Sequence, residues 1–234
     1  MKKYELTTET LQFAGRTLHR IKAVKDFGSI KAGEFGGYIE NEKNLSQDDN
    51  AWIYGEAMAI GNARVFGNAK ILGNAHIFGN AKVFDSARVY DDARVYDDAI
   101  VHNNARIYDN AIVYDNAIVS DYAEVCENAK VCDDADVYGL TRIFGNAKIF
   151  GNAIIKGDAK VHDAVDYIVF KNFWSSGRYF TWTRSNNKWS VGCFYGTGEE
   201  LIKKAYADSV KSGREYERVV RYVESILADE KEKK

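Results

Sequence analysis

From residue 49 to residue 162 the chain repeats one six-residue unit nineteen times with nothing inserted. Ala recurs at every sixth position from Ala51 to Ala159, Thr141 being the exception. Val or Ile follows two residues later from Ile53 to Val161, Ala59 being the exception. A period of six excludes a helix, because six residues do not close whole turns at 3.6 residues per turn. Alternation within the unit fits a strand, with Ala and Val on one face and their neighbours on the other. In the unit from Ala63 to Asn68, Ala63 and Val65 point inward, Arg64 and Phe66 outward, and Gly67-Asn68 makes a corner. Gly, Asn and Asp tolerate the positive φ that a tight corner needs. Three such sides close a triangular coil, and successive coils pair as parallel strands. At a strand spacing near 4.8 Å the run predicts about six coils stacked over roughly 30 Å.

The hexads resemble the hexapeptide repeats of left-handed parallel β-helix proteins, a family best known for bacterial acyltransferases. The stretch Lys31-Ala32-Gly33-Glu34-Phe35-Gly36-Gly37-Tyr38-Ile39, followed by Asn44-Leu45-Ser46, is also similar to the start of enterobacterial and phage proteins that carry an acetyltransferase label. The resemblance implies a mainly β fold and, for the acyltransferases, trimers that bind acyl-CoA between neighbouring prisms and use a His as general base.

Three segments follow from the pattern. Residues 1–48 read as an N-terminal β cap, since a repeat stack otherwise ends in unpaired strand edges. Within it Leu11–Ile21 reads as a hairpin turning near Gly15. Gly33, Gly36 and Gly37 lack the strand–loop–helix context and the Lys-Ser/Thr pair of a phosphate loop, so they read as turns. Residues 49–162 are the β-helix. Residues 163–234 read as a small α+β domain ordered β-β-β-α-α, with strands over Asp166–Phe170, Arg178–Arg184 and Lys188–Tyr195. Thr197-Gly198-Glu199-Glu200 is a capping box that opens a helix to about Lys211. Gly213 is expected to break it. A second amphipathic helix follows with Tyr216, Val219, Val220, Val223, Ile226 and Leu227 on one face, and Glu230–Lys234 as a frayed tail.

The repeat does not assemble an obvious active site. Of the four histidines, His76, His102 and His162 fall on three different sides of the prism, and His19 lies in the cap. No loop leaves the run to enclose a substrate, and no three histidines converge as a catalytic zinc would require. The expectation is therefore no catalytic residue, no metal and no cofactor. Cys126 and Cys132 sit one hexad apart at diverging outward positions, too far for a disulfide, so they and Cys193 read as free, weakly buried thiols.

Charge is uneven. Residues 85–138 carry 13 acidic and 4 basic residues against a whole-chain net charge of −2. Most of the acids are corner residues, such as Asp91-Asp92 and Asp133-Asp134. They read as solvated turns that discourage edge association, rather than as a cation-binding ridge.

Eleven of the nineteen positions that follow the inward Val/Ile are Phe or Tyr. Positions eighteen apart stack, giving one row through Tyr54, Tyr90 and Tyr108 and another through Phe78, Tyr96 and Tyr114. Such ladders stabilise parallel stacking, and their extent predicts cover from the terminal segments and from other subunits, a homo-oligomer with a trimer favoured by the resemblance. The C-terminal segment holds every tryptophan but Trp52, interleaved with arginines: Trp174, Arg178, Trp182, Arg184 and Trp189. Aromatics alternating with Arg can stack bases and pair phosphates, but the segment is nearly charge-balanced, which disfavours a nucleic acid.

These five residues are the candidate binding set. The leading expectation is a non-catalytic oligomeric scaffold or interaction protein, of phage origin by resemblance. It would bind a partner protein or small ligand through the C-terminal domain or the outward ladders. The alternatives are an acyl-CoA-dependent acyltransferase at a trimer groove and a nucleotide or nucleic-acid binder. The opening MKKYELTTET has no apolar core of a signal peptide, and no run could span a bilayer, so a cytoplasmic protein is expected.

Overall fold

A computed structural model describes residues 2–174 and 176–232. The chain divides into two units, Met1–Ala164 and Val165–Lys234.

The first unit begins with an antiparallel hairpin, β1 (Tyr4–Phe13) and β2 (Arg16–Ala23), turning at Ala14-Gly15. β3 (Phe35–Ile39) pairs antiparallel with β2 on one edge. On its other edge it runs parallel to Met58–Ala59, with Tyr38 opposite Met58 and Ile39 opposite Ala59. The hexads then supply nineteen two-residue strands, β4 (Trp52–Ile53) through β22 (Lys160–Val161), dealt in rotation to three parallel sheets.

The mainly β, parallel β-helix architecture expected from the repeat is present. It has about seven coils instead of about six, because β3 forms a rung ahead of β5 (Met58–Ala59) and Leu45 bridges in parallel to Val65. Gly37-Tyr38-Ile39 fills the place that Ala-x-Val/Ile fills in a hexad. A Cβ on Gly37 would lie 2.3 Å from the carbonyl oxygen of Ala57, so this rung accepts only glycine there. The extra coil escapes the repeat because Leu45 and Ile53 are eight residues apart, which breaks the phase.

Inward Ala and Val/Ile side chains of the hexads are buried throughout. Successive coils are joined by backbone bonds such as Lys70 N–H to the Ala87 carbonyl at 3.0 Å and Leu72 N–H to the Val89 carbonyl at 2.9 Å. Outward rings stack in rows. Phe66–Phe84 centroids are 4.7 Å apart, Phe78–Tyr96 4.6 Å and Tyr90–Tyr108 5.0 Å, all nearly coplanar. The rings thus provide part of their own cover. Within the hexad run only Tyr122, Leu140 and Phe150 among large apolar side chains are strongly exposed.

The corners hold a second set of ladders that neither reading of the acidic run anticipated. From Asp85 to Asp133 the first corner residue is Asp, Asn or Glu at φ near +55° instead of Gly. At Asp85, Asp91, Asp109, Asp115, Asp121, Glu127 and Asp133 the carboxylate accepts the backbone N–H of the corner eighteen residues on. Asp91 takes Asp109 N–H at 3.4 Å, Asp109 takes Glu127 N–H at 3.0 Å, and Glu127 takes Gly145 N–H at 3.0 Å. Asn and Asp at the second corner position join in the same step, as in Asn62 to Asn80 and Asn80 to Asp98, both at 3.1 Å. A non-glycine residue in the left-handed region costs roughly 1–2 kcal/mol, and these inter-coil bonds offset it.

Lys3 ties the hairpin to the offset corner. Its side chain is buried, and Nζ donates to the carbonyls of Asp49 and Ala51 at 2.8 and 2.9 Å.

The second unit is an antiparallel sheet in chain order, β23 (Tyr167–Lys171), β24 (Tyr179–Thr183), β25 (Lys188–Val191) and β26 (Phe194–Gly196), followed by helices α1 (Gly198–Asp208) and α2 (Val210–Glu232). The expected third strand Lys188–Tyr195 is therefore a hairpin folded at Gly192-Cys193. The capping box at Thr197 and Glu200 is formed.

The helix break falls at Ser209, whose backbone is extended, and Gly213 lies inside α2. Gly213 is a contact residue: a Cβ there would meet the Tyr206 ring at 2.3 Å. The chain is helical through Glu232. The end of the expected frayed tail, residues 233–234, lies outside the described residues. No helix among the described residues is long and apolar enough to cross a membrane.

Candidate functional site

The tip of the hairpin lies over one face of the β-helix and roofs a groove of about 670 Å³. Phe13, Ala14 and Arg16 form the roof, and Ile60, His76, Phe78 and Arg94 form the floor, with corner residues 61–62 and 79–80 along one wall. The local sequence explains each placement. Ala14 and Gly15, both at positive φ, make the two-residue turn that throws Phe13 and Arg16 to the tip. His76 on β8 (His76–Ile77) and Arg94 on β11 (Arg94–Val95) are register partners in adjacent coils, so both point outward side by side. The Phe13 ring packs edge-on against the His76 imidazole at 5.1 Å.

His76 is half-buried. Burial beneath the hairpin, reinforced by the neighbouring Arg94 charge and only partly opposed by Asp92, pushes its pKa below the ordinary histidine value. Both effects favour the neutral imidazole.

Arg16 is already committed, donating to both carboxylate oxygens of Glu40 at 2.8 and 2.9 Å. Glu40 also accepts the Gly61 N–H at 2.6 Å, and these bonds, the backbone one foremost, hold its carboxyl below the usual range. No hydrogen bond or ion pair joins Arg94 to any described residue. The groove thus combines an apolar roof and floor, a neutral imidazole and one uncompensated guanidinium.

Sequence reasoning missed this groove because it looked for an excursion within the repeat. The enclosing element comes instead from the N-terminal segment. The available signal was the hairpin itself, with Phe13 and Arg16 flanking its turn.

The five residues singled out from the C-terminal segment are not brought together. Trp182 and Trp189 are core residues, 1 % and 2 % exposed. The Trp182 indole N–H donates to Asn187 Oδ1 at 2.9 Å. Arg184 is engaged with both carboxylate oxygens of Glu230 at 2.7 and 3.3 Å and with the Val165 carbonyl. Trp174 and Arg178 are exposed but line different depressions. Trp174 stacks on Phe173 beside Tyr222 and Arg218, whereas Arg178 borders Tyr216 and Asp208.

The prism histidines do lie in three different sheets, those of β8, β12 (Ile100–Val101) and β22. His102 stacks on Phe84, 3.8 Å from Asp85, and His162 contacts Asp163.

Cys126 and Cys132 are free, as expected, but fully buried where weak burial was expected. Each thiol follows a tyrosine in its ring row, Tyr108 or Tyr114; Cys132 Sγ donates to the Ile149 carbonyl at 3.7 Å and Cys126 Sγ accepts from Arg142 Nη2 at 3.9 Å. The ligand atoms of Asp115, Cys132 and Asp133 lie within 4.8 Å of one another. Both carboxylates there already serve the corner ladder, accepting the Asp133 and Gly151 N–H groups at 3.2 and 2.8 Å.

Comparison with known proteins agrees with the geometry of the coils. The model of the YdcK beta solenoid repeat matches residues 87–103 and 105–121, two consecutive eighteen-residue coils. A stretch of 64 residues is 36 % identical to the uncharacterized acetyltransferase YdcK of Escherichia coli (strain K12), covering 24 % of this chain and 20 % of that protein. The matched region thus spans about a fifth of the relative's length. The hexads, the parallel rungs and the matched repeat agree: residues 49–162 form a hexapeptide-repeat parallel β-helix, similar over part of its length to the YdcK solenoid repeat.

Proposed function

We propose that this chain is a binding protein that receives a small ligand in the groove between its N-terminal hairpin and the β-helix, with no chemistry performed there. The observation that carries this reading is the groove itself, a mostly apolar cleft of about 670 Å³ whose polar lining is His76, the Glu40-bound Arg16, the corner residues Asn62 and Asn80, and Arg94, which has no partner among the described residues. A cleft of this size, mostly apolar with a few convergent polar groups, suits a drug-sized molecule. Many other outward side chains of the hexads are engaged in holding coils together, through stacked rings and corner bonds. In this reading the protein works in the cytoplasm, which its three free cysteines support.

Calorimetric titration with a neutral apolar probe, 2-naphthylmethanol, tests the reading. Saturable one-to-one binding that is lost in Phe13→Ala is expected. Absence of binding to the unaltered protein refutes it.

A second reading has one observation in its favour. A neutral imidazole inside a cleft is the form a general base must take, and His76 on this fold would then serve acyl transfer, the activity named for the relative. Titration with acetyl-CoA, together with thioester turnover in the presence of amine acceptors, decides between them. Turnover that His76→Ala abolishes would establish the enzyme and remove the binding-only reading.

A further inference from the structure

We propose that the ligand of this groove is an apolar molecule carrying a single carboxylate, its body against Phe13, Ile60 and Phe78 and its carboxylate on the Arg94 guanidinium. This rests on the groove reading above and adds the charge and chemical class of the occupant.

Three observations point to one negative charge. Within the groove, Arg16 and Glu40 neutralise each other through two hydrogen bonds, and Glu40 is further held by the Gly61 amide. His76, packed under the Phe13 ring beside the Arg94 guanidinium, sits where the neutral imidazole is favoured. Arg94 is what remains, a guanidinium with no partner among the described residues, bordering an apolar cavity.

The face around it has the same sign. Along the row that holds His76 and Arg94, the outward side chains from β5 to β20 (Lys148–Ile149) are Met58, His76, Arg94, Ile112, Lys130 and Lys148, with no carboxylate. The parallel row on that face, from Ile60 through Phe78 and Tyr96 to Phe150, is also free of acids. The other two faces carry Glu124 and Asp136 at equivalent positions.

A guanidinium is matched by a planar carboxylate that accepts two N–H bonds at once. A dianion such as a phosphate monoester would leave one charge uncompensated against an apolar wall. Neighbouring corner acids such as Asp92 would oppose it as well.

The test is a set of isosteric probes titrated at pH 8, where His76 is neutral: 2-naphthoate, 2-naphthylmethanol and 2-naphthyl phosphate. A charge-assisted bond to the exposed guanidinium at the groove's edge predicts that 2-naphthoate binds up to about tenfold tighter than the alcohol. Arg94→Gln should reduce the two to equal affinity, while Arg88→Gln, on another face, should change nothing. Equal binding of naphthoate and alcohol to the unaltered protein overturns the carboxylate while leaving the groove reading intact. So does phosphate binding tighter than naphthoate, or a preference that survives Arg94→Gln. If none of the three binds, the groove reading falls with it.

Discussion

Replacing Thr141 with valine should stabilise the β-helix. Thr141 occupies the inward place that alanine fills in the other eighteen hexads. It is 1 % exposed, and its Oγ1 is a buried side-chain polar atom without a hydrogen-bond partner among the described residues. A buried hydroxyl left unsatisfied costs about 1–3 kcal/mol. Valine keeps the shape and β-branching of threonine while removing that group, so a gain of about 1–2 kcal/mol is expected. For a chain of this length each kcal/mol shifts the thermal midpoint by about 2–4 °C, which puts Thr141→Val about 2–8 °C above the parent.

Alanine at the same site removes the hydroxyl but also gives up a buried methyl worth about 0.8 kcal/mol and leaves a small void. Thr141→Ala should therefore fall near the parent. Urea denaturation followed by far-ultraviolet circular dichroism measures all three. A Thr141→Val midpoint at or below the parent, with an unchanged denaturant slope, refutes the argument, because the hydroxyl would then be satisfied in solution.

Other features give equally direct expectations. Burial lowers the Lys3 pKa to about 8 from 10.5, overriding the opposing pull of Asp49 and Asp48. The unfolded chain then binds the extra proton between those values, so this group makes stability rise with pH across the window from about 8 to 10.5. Lys3→Met should remove that part of the slope, read as the difference between parent and variant midpoints at pH 7.5, 8.5 and 9.5. Asp109→Ala loses the bond to Glu127 N–H and leaves a Cβ at φ +55° without compensation, and should cost about 1–2 kcal/mol in chemical denaturation. Asp109→Gly, free of the backbone penalty, should cost less, and the reverse order would refute the ladder's role. Among the three thiols only Cys193 is exposed, so a thiol-specific chromogenic reagent should titrate one group rapidly in the native protein and three after denaturation.

The coils were legible because their cause is local and repeated: an inward Ala and Val/Ile two apart, then a corner. What escaped was set by long-range contact. The first coil is hidden because Gly37 substitutes for Ala where the Ala57 carbonyl approaches, and because two extra residues separate Leu45 from Ile53. The inter-coil bonds of the corner acids need a partner eighteen residues away, so they cannot be seen within one hexad, although the spacing itself is written in the sequence. Gly213 shows the opposite error. Read locally it is a helix breaker, but the neighbouring Tyr206 ring makes glycine the residue that fits. The candidate site was missed for the same reason as the first coil, since Phe13 and His76 are joined only after the hairpin folds back over the prism. The tryptophans misled because composition does not tell a core aromatic from an exposed one.

Dealing the strands to three sheets in rotation limits how such a chain can change length. Deleting eighteen residues from the middle of the run removes one rung from each sheet and leaves every row of rings and every corner bond with an equivalent neighbour. Deleting a single hexad moves all later strands on by one sheet: pairs on the same side of the deletion are kept, but across the junction residues formerly twenty-four apart become neighbours and each row continues as a different one. Growth and shortening by whole coils therefore keep each face's character, whereas a step of one hexad joins the row of one face to that of another, and a step that is not a multiple of six breaks the inward pattern itself. The groove beneath the hairpin, confined to the first coils, would persist through any number of such whole-coil changes downstream.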